Sequence, residues 1–280
     1  MTELIEQNEP LIFSDQIRLW NLSVDGQLIE TPHSKLLPVI ANRKPAILKL
    51  LCEDERYSPA ALKWWQGIGA ARLISQDSNI ILIERAEGNR SLIEMSQSGD
   101  DDNACRIICD VAKQLHFHRQ VKRPSFPSLS HRFKQLPIVA ESQGGILQEC
   151  ADIARHLLSN PQEQTILHGD LHHDNILDFD ERGWLAIDPK GLLGERASDF
   201  ANIFINPDTA DPKLSVAMTN GCISQRLDII SKEAKIDRQR LLMWVVAYAG
   251  LSASWFINAQ NPLSWIPINV AQQGLSLLKN

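Results

Sequence analysis

The sequence predicts an α+β protein in which a small β-rich part comes first and a larger, mostly helical part follows. Three apolar runs in the first third, at residues 36–40, 46–51 and 80–84, have the length and composition of strands. Residues 103–118, 144–158 and 222–257 are instead predicted to be helical. After residues 86–90 the predicted elements change from strands to helices. We therefore expect one domain at residues 1–88 and a second at residues 89–280.

The β-rich part is predicted to contain a hairpin and one short helix. The runs LLPVI and AILKLL are joined by the turn segment ANRKP, and Pro45 bounds the second strand. In SPAALKWWQGIGA, Ser58 can cap a helix, Pro59 suits its first position, and Gly67 ends the pattern. These signals predict a helix between the second and third strands.

One apolar stretch reaches the lower length limit of a membrane span. Residues 241–257 run for 17 positions without a charge. The stretch also contains Tyr248, Gly250, Ser252 and Ser254, which favour a helix buried in a protein core. A membrane span is the alternative, but we expect no membrane partner.

The charge balance limits the partners of the protein. The chain has 28 Lys and Arg residues against 34 Asp and Glu residues, a formal charge of −6, which argues against nucleic acid as the main partner. This acidity mildly favours a cationic small-molecule substrate, although modest acidity is also typical of soluble proteins.

The cysteines and the N-terminus favour the cytoplasm. The five cysteines are widely spread and form no CxxC pair, so neither a disulfide framework nor a zinc ribbon is indicated. The first ten residues, MTELIEQNEP, lack the basic and apolar regions of a signal peptide. We therefore expect a cytoplasmic protein with reduced thiols.

The run ILHGDLHHDNILDF (residues 166–179) concentrates chemically active side chains in front of a predicted hairpin. Two apolar runs, 176–179 and 184–187, flank the polar turn DERG. If the turn is centred between Glu181 and Arg182, Asn175 and Asp188 lie opposite each other at the open end. Carboxamide and carboxylate oxygens suit Mg²⁺, which takes its remaining ligands from water and substrate phosphates. The sequence therefore predicts a magnesium site there.

The spacing His168-x-Asp170-x4-Asn175, followed by Asp188 after the next strand, is the catalytic-loop pattern of protein-kinase-like phosphotransferases. From this loop, Asp170 could reach a substrate hydroxyl beside a metal-bound phosphate. Such enzymes also use a strand lysine to hold the α and β phosphates, and Lys49 occupies a matching strand. An exposed lysine on a strand face is the alternative for Lys49.

The stretch LHGDLHHDNIL…WLAIDPKGLLGE resembles the aminoglycoside and hydroxyurea antibiotic resistance kinase family. WWQGIGAARLI and ILIERAEGNRSL are similar to that family's segments before and at the hinge between its lobes. The resemblance covers about residues 30–260 and is strongest at 166–206. It implies a two-lobed protein-kinase-like fold, with a small β-rich N-lobe, a larger mostly helical C-lobe, and the nucleotide between them.

The resemblance also assigns roles to individual residues. It makes Asp170 the catalytic aspartate and Lys49 the phosphate-holding lysine. It makes Asn175 and Asp188 the magnesium ligands. Backbone groups between residues 83 and 86 would hold adenine, which implicates Ile83, Glu84 and Ala86.

Other assignments in the same region leave alternatives open. The loop ETPHSKL would cover the phosphates through Ser34 and backbone amides, and it lacks the GxGxxG pattern. Lys49 needs a glutamate partner, for which Glu55 is the first candidate, although Glu53 or neither could serve because the helix is predicted to begin only at Ser58. Asp199 is expected to anchor the catalytic loop rather than to bind metal.

The predicted roles of the histidines in the loop are less specific. His168 is expected to be a buried organiser of the loop. Of His172 and His173, one could bond the backbone and the other face substrate; metal ligation is disfavoured since Mg²⁺ prefers oxygen.

The predicted reaction is transfer of the γ-phosphoryl group of ATP to a small-molecule hydroxyl, with Mg²⁺. The resemblance, to a family whose members include streptomycin 6-kinases, implies a streptomycin 6-kinase-like enzyme with an aminoglycoside such as streptomycin as acceptor, and hence antibiotic resistance. The acidic residues 100–102 could help hold a cation or form a solvated turn. Hydroxyurea, another amino sugar, an endogenous metabolite, a metal-dependent phosphoesterase and a non-catalytic binding module are the alternatives.

Overall fold

The first part of the chain is built on one antiparallel sheet. The structure is a computed structural model that describes residues 11–31, 34–119 and 123–279. Within these residues the sheet has the order β1-β3-β4-β6-β5, and β2 also pairs with β3. Its strands are β1 (Ser23–Val24), β2 (Ile29–Glu30), β3 (Lys35–Ala41), β4 (Lys44–Leu50), β5 (Leu73–Asp77) and β6 (Ile80–Glu84).

The β3–β4 hairpin confirms the first two predicted strands. Asn42 and Arg43 in its turn have φ angles of 49° and 63°, the positive pair that a tight hairpin turn requires. Ala46 and Leu48 point into the core of the sheet, so Lys49, between Leu48 and Leu50, points to the opposite face. The alternation thus turns Lys49 away from the core under the sheet.

Strand β6 confirms the third predicted strand, whereas β5 was not predicted. The sequence of β5, LISQD, is half polar, and its residues are intermediate or exposed. The reason is its position at the edge of the sheet, where one side of the strand meets water instead of another strand.

Two helices accompany the sheet, α1 (Ser14–Leu19) and α2 (Ser58–Trp65). Helix α2 confirms the predicted helix, but Ser58 is its first residue and not its cap: Tyr57 occupies the cap position without a side-chain hydrogen bond. The helix ends two residues before Gly67, and Gln66 adopts φ 53°. Indole Nε1 of Trp65 donates a hydrogen bond to Leu115 O at 3.1 Å. Helix α2 therefore packs against the helical part of the chain.

The second part is mostly helical. Its first helix, α3, begins at Leu92, so the predicted boundary after residue 88 lies in the connection from β6; this division stays a prediction. Helix α4 ends three residues before the predicted position. The helices are α3 (Leu92–Gln97), α4 (Asp101–Leu115), α5 (Leu129–Arg132), α6 (Gln135–Gln143), α7 (Gly145–Ser159), α8 (Cys222–Ala234), α9 (Arg238–Asn258) and α10 (Trp265–Lys279).

The region predicted to be helical at residues 222–257 is confirmed as helical, and it consists of two helices. The chain breaks between α8 and α9, where Lys235 adopts φ 53°. The side chain of Asp237 then accepts a hydrogen bond from Arg240 N and caps α9. The break is only three residues long and contains no glycine or proline, so the sequence gives no strong stop signal there.

Helix α9 is the central helix of the second part. Within the described residues it alone is long and apolar enough to span a membrane, but 72% of its most apolar 18-residue stretch is buried inside the protein. It packs against α7 and α10. This burial supports the predicted core helix.

Two small antiparallel sheets complete the second part and carry the polar loop. Strand β7 (Gln164–Leu167) pairs with β10 (Leu192–Glu195), and β8 (Ile176–Asp178) pairs with β9 (Trp184–Ala186). The chain is about 52% helix and 17% strand overall. One core cluster includes Leu62 and Trp65 of α2 together with residues of α4, α7 and α9, so both parts share buried surface.

Candidate active site

His168 organises the loop that follows β7. Its ring is completely buried, Nε2 lies 2.7 Å from Ile187 O, and Nδ1 accepts a hydrogen bond from Asp170 N at 3.3 Å. Because Nδ1 accepts, the proton sits on Nε2 and bonds Ile187 O. Burial lowers the pKa of His168 and favours this neutral form. The prediction of a buried organiser is confirmed.

Asp199 fixes the start of the same loop. Its buried carboxylate accepts hydrogen bonds from the N–H groups of His168 at 2.8 Å and Gly169 at 2.7 Å. It also lies 2.8 Å from His116 Nε2. Gly169 has φ +82°, and a Cβ there would lie 2.9 Å from Leu192 Cδ1, so the turn needs glycine. The predicted anchoring role of Asp199 is confirmed.

Asp170 faces the cleft with its carboxylate held from several sides. Asn202 Nδ2 donates to Asp170 Oδ1 at 3.0 Å. Arg132 Nη2 lies 3.9 Å from Oδ1, and Lys190 Nζ lies 4.0 Å from Oδ2. Burial acts to raise the pKa of Asp170, but neighbouring positive charge from His172, Arg132 and Lys190 brings the pKa below its usual value. Asp170 is therefore an ionised carboxylate at neutral pH.

The hairpin β8–β9 has a different register from the predicted one. The turn is a three-residue 3₁₀ segment, Asp180–Arg182, and Phe179 N donates to Gly183 O. An odd number of turn residues centres the hairpin on Glu181, so Asn175 lies opposite Ile187 instead of Asp188. The expected symmetry of Asn175 and Asp188 is therefore wrong by one residue. Asp188 leaves the ladder with φ 56°.

The oxygens of Asn175 and Asp188 are nonetheless suited to a hard cation. Asn175 Nδ2 donates to Asp170 O at 2.8 Å, which leaves its amide oxygen facing away from that bond. Asp188 Oδ1 pairs with Lys49 Nζ at 2.7 Å, and the side chain of Asp188 is 28% exposed. No cluster of three or more His, Cys, Asp or Glu in the described residues could hold a metal. Mg²⁺ takes few protein ligands and completes its shell with phosphates and water, so carboxamide and carboxylate oxygens fit its chemistry.

Lys49 is paired with two carboxylates. Its Nζ lies 2.9 Å from Glu55 Oε1 and 2.7 Å from Asp188 Oδ1, and the residue is 2% exposed. Burial acts to lower the pKa of Lys49, but the two carboxylates raise it above its usual value, so the ammonium stays charged. The expectation of an exposed strand lysine is excluded by this burial.

Glu55, and not Glu53, is the partner of Lys49. Both residues lie in a 3₁₀ turn, Glu53–Glu55, that precedes α2. Glu53 pairs with Arg56 at the surface, whereas Glu55 is 3% exposed and faces Lys49. The pair thus forms although Glu55 lies outside the helix.

Part of the predicted hinge, residues 83–86, belongs to strand β6. Ile83 and Glu84 are the last two residues of β6, and Glu84 N donates to Arg72 O at 3.0 Å. The Glu84 side chain pairs with Arg182 of the hairpin turn. Ala86 lies beyond the strand and packs beside a small apolar cluster. Of the three assigned residues, Ala86 is the one outside the sheet.

Ser34 lies at the end of the predicted phosphate loop, and its polar groups have partners. Its hydroxyl donates to Leu50 O at 2.8 Å, and its N–H donates to Thr31 Oγ1 at 2.9 Å. Contact with phosphate would require these bonds to be exchanged. Residues 32 and 33 of the loop lie outside the described residues, and the role of Ser34 stays a prediction.

A cleft of about 1070 Å³ opens beside Asp170. Helix α9 supplies Tyr248, Trp255 and Phe256 to one wall. The guanidinium of Arg132, from α5, lies 4.7 Å from the Trp255 ring centroid. The opposite side carries residues 52–54, 56 and 57 of the first part. The cleft therefore combines an aromatic wall with charged groups and leads directly to Asp170.

A sequence model of the aminoglycoside/hydroxyurea antibiotic resistance kinase family matches residues 19–259. The chain belongs to this family. It is therefore a small-molecule kinase, and the predicted enzyme class is confirmed.

Curated relatives of this kinase include antibiotic-modifying enzymes. Streptomycin 3''-kinase of Klebsiella pneumoniae is 46% identical over 85% of this chain and 90% of its own length. Streptomycin 6-kinase of Streptomyces griseus is 27% identical over 89% of this chain and 83% of its own. Hydroxyurea phosphotransferase of Kitasatospora aureofaciens is 26% identical over 84% of this chain and 69% of its own.

Solved structures share the fold of this kinase at low sequence identity. Aminoglycoside phosphotransferase APH(4)-Ia matches with a TM-score of 0.68 at 13% identity, over 95% of this chain and 97% of that one. Amicoumacin kinase hAmiN, solved with AMP-PNP, Ca²⁺ and Ami, matches with a TM-score of 0.64 at 12% identity, over 98% and 96%. The predicted two-lobed protein-kinase-like fold is confirmed.

The two neighbouring histidines of this kinase differ in exposure. His172 lines the cleft, and its Nδ1 accepts a hydrogen bond from Asp174 N at 3.4 Å. His173 is 1% exposed, its Nε2 lies 3.9 Å from Asp101 Oδ1, and burial lowers its pKa to about 4. One histidine thus both bonds backbone and faces the cleft, while the other is buried beneath the loop.

The acidic run at residues 100–102 does not face the cleft. It starts α4, where Asp101 pairs with the buried guanidinium of Arg226 and Asp102 accepts from Gln225. Its negative charge therefore serves the helix start and the packing of α8. The alternative that this run holds a cationic substrate is wrong.

Three cleft residues were missed by the sequence argument: Arg132, Lys190 and Asn202. Asn202 was detectable, since it lies three residues after Asp199 and helical spacing places both on one side of a turn. Arg132 gave no signal because it comes from a short helix far from the loop in sequence. Lys190 belongs to the family-like segment WLAIDPKGLLGE, but no role was predicted for it.

Proposed function

We propose that this kinase uses ATP to phosphorylate a hydroxyl group of a streptomycin-like aminoglycoside in the cytoplasm, and so inactivates the antibiotic. One observation carries the proposal. Asp170 lines a cleft of about 1070 Å³, and ion pairs through Lys190 and Glu55 connect it to the charged pair of Lys49 and Asp188. A nucleotide and an acceptor could thus meet at one carboxylate.

The proposed reaction uses Asp170 to orient the acceptor. The acceptor oxygen forms a bond to the γ-phosphorus, and the bond between that phosphorus and the bridging oxygen of ADP breaks, with its electron pair leaving on ADP. Asp170 accepts the hydroxyl proton and passes it to water. Oδ1 accepts a hydrogen bond from Asn202 at 3.0 Å, whereas Oδ2 accepts only a longer one from Asn175 at 3.5 Å, so Oδ2 is the better placed acceptor. Asp170 thus both orients the acceptor hydroxyl and accepts its proton.

The proposed nucleotide site lies between the sheet and the hairpin. Lys49 would hold the α and β phosphates, while Asn175 and Asp188 would hold Mg²⁺, which neutralises phosphate charge when bound. Ala86, Leu177 and Ile187 are partly buried apolar residues around one small cluster. A flat adenine ring could bury this surface, with the backbone near Ala86 supplying polar contacts.

The dimensions of the cleft support a large acceptor. Small-molecule sites typically have volumes of about 300–1,000 Å³, so this cleft suits an aminoglycoside better than hydroxyurea. Glu53 and Asp54 provide exposed carboxylates at the rim for a cationic acceptor. The 46% identical relative is named a 3''-kinase, while a named 6-kinase is 27% identical. We therefore favour the 3'' hydroxyl of streptomycin over the 6 hydroxyl.

An acceptor panel tests the proposal. Streptomycin is expected to give the highest kcat/KM among streptomycin, hygromycin B and hydroxyurea, because the cleft is large enough for it and the 46% identical relative is named for this acceptor. ADP formation measures turnover, and phosphorus and proton NMR of the product locates the new phosphate, expected on the 3'' oxygen. A preference for hydroxyurea, or no ATP consumption with any acceptor, would contradict the proposed function.

The metal assignment predicts a charge-dependent loss of affinity. In Asp188→Asn, we expect the Mg²⁺ concentration at half-maximal activity to rise by about tenfold or more, since only ~1.4 kcal/mol of lost binding produces that change. Chelation should stop turnover of the wild type, and added Mg²⁺ should restore it. Asp180→Asn, in the exposed hairpin turn, is the control. An unchanged Mg²⁺ requirement in Asp188→Asn would remove this residue from the metal site.

A further inference from the structure

Lys190 occupies a fixed position beside the catalytic loop. It lies in the connection from β9 to β10, and its backbone N–H donates to His168 O at 2.7 Å. The side chain lines the cleft and is 15% exposed. The same backbone that holds His168 therefore directs an ammonium group toward the reaction site.

The ammonium of Lys190 lies between two carboxylates. Its Nζ is 3.3 Å from Glu55 Oε1 and 4.0 Å from Asp170 Oδ2. Glu55 Oε1 also pairs with Lys49 at 2.9 Å, so one carboxylate oxygen serves two lysines. The other oxygen, Oε2, is buried and has no hydrogen-bond partner among the described residues. Glu55 thus holds one ammonium on each side.

The two lysines differ in how firmly they are held. Lys49 makes two short contacts, at 2.9 Å to Glu55 and 2.7 Å to Asp188, and is 2% exposed. Lys190 makes one weaker hydrogen bond to Glu55, reaches Asp170 only at ion-pair distance, and is more accessible from the cleft. A new anion between Asp170 and Glu55 would therefore attract Lys190 with little loss of existing bonding.

We propose that Lys190 is a further catalytic residue that binds the phosphoryl group during its transfer. The inference rests on the proposed function. As the acceptor oxygen bonds to phosphorus and the bond to ADP breaks, negative charge spreads over the equatorial oxygens of the phosphoryl group. Lys190 donates a charged hydrogen bond to one of them beside Asp170, while Lys49 stays with the phosphates that remain on ADP.

The variant Lys190→Met tests this role. We expect kcat to fall by about 10²-fold, the usual cost of removing one transition-state donor. KM for ATP and the dissociation constant of AMP-PNP, measured by calorimetry, should stay within about threefold of wild type because the interaction forms only during transfer. Lys190→Arg should recover at least part of the lost kcat. Lys63→Met, at an exposed ammonium bonded to Gln76, is the control for removing a lysine charge.

Several outcomes would overturn the proposal. A kcat of Lys190→Met near the wild-type value would exclude the catalytic role, as would an equal loss in AMP-PNP affinity. If Lys190→Met does not fold, as judged by thermal melting, Lys190→Gln and Lys190→Arg decide: equal activity of the two would also exclude the role. A wild-type chain without turnover on any acceptor would instead overturn the proposed function and, with it, this inference.

Discussion

Replacing Asp170 with asparagine is expected to lower kcat by about 10² to 10⁴, because the acceptor hydroxyl loses the carboxylate that orients and accepts its proton. Asparagine keeps the size of the side chain and can still bond Asn202, which lies 3.0 Å from Oδ1. Nucleotide affinity should therefore change little. Steady-state kinetics at saturating ATP and acceptor, together with calorimetry for AMP-PNP, measure both effects.

Asp174→Asn is the matched control for this experiment. Asp174 lies in the same loop, but its side chain is exposed. The same charge removal should therefore leave kcat near the wild-type value. Turnover of Asp170→Asn within about a factor of two of wild type would remove Asp170 from the mechanism, since removing a general base costs at least 10²-fold.

Replacing Arg226 with methionine is expected to lower the free energy of unfolding by about 3–5 kcal/mol, because it removes a fully buried guanidinium and leaves the carboxylate of Asp101, which is only 19% exposed, without its partner. Arg226 is 1% exposed and holds Asp101 through two hydrogen bonds of 2.7 and 2.8 Å. It also donates to Ile203 O and Asn206 O, so it ties α8 to α4 and to the segment that carries Asp199 and Asn202. Urea unfolding followed by circular dichroism measures the loss.

Arg238→Met provides a control at an exposed ion pair of the same chemical type. Arg238 pairs with Asp228 at 2.7 Å, but the two side chains are 45% and 67% exposed. Its loss should therefore cost only about 0–1 kcal/mol. Adding Asp101→Leu to Arg226→Met should recover part of the stability, since the uncompensated charge is then removed. Similar losses at both arginines would contradict a special role for the buried pair.

The fold was predictable where the apolar pattern of a segment matches its burial in the structure. Strands β3, β4 and β6 and helix α2 carry apolar runs or end signals that their positions satisfy. Strand β5 was not predicted because an edge strand can be polar, and the division of residues 222–257 into α8 and α9 was not predicted because the three residues between them include no glycine or proline. In both cases the environment of an element, and not its composition, decides its conformation.

In the candidate site, too, relations within one loop could be predicted, whereas relations between separate elements could not. The spacing of Asp170 and Asn175 can be read along the chain because both belong to one loop. The relation of Asn175 to Asp188 depended on the length of a turn, and one residue changed the register. The pairing of Lys49 with Glu55 depended on a 3₁₀ turn that no helix signal announces.

The sequence by itself determined the class of chemistry, because one loop carries Asp170 and Asn175 at the fixed spacing of a kinase catalytic loop. Only the tertiary structure decided which charges meet. Arg132, Asn202 and Lys190 reach Asp170 from three separate elements, and the cleft between them exists only once those elements pack. The physical reason is that spacing within a loop is set by covalent geometry, whereas contacts between distant elements are set by the burial that brings them together.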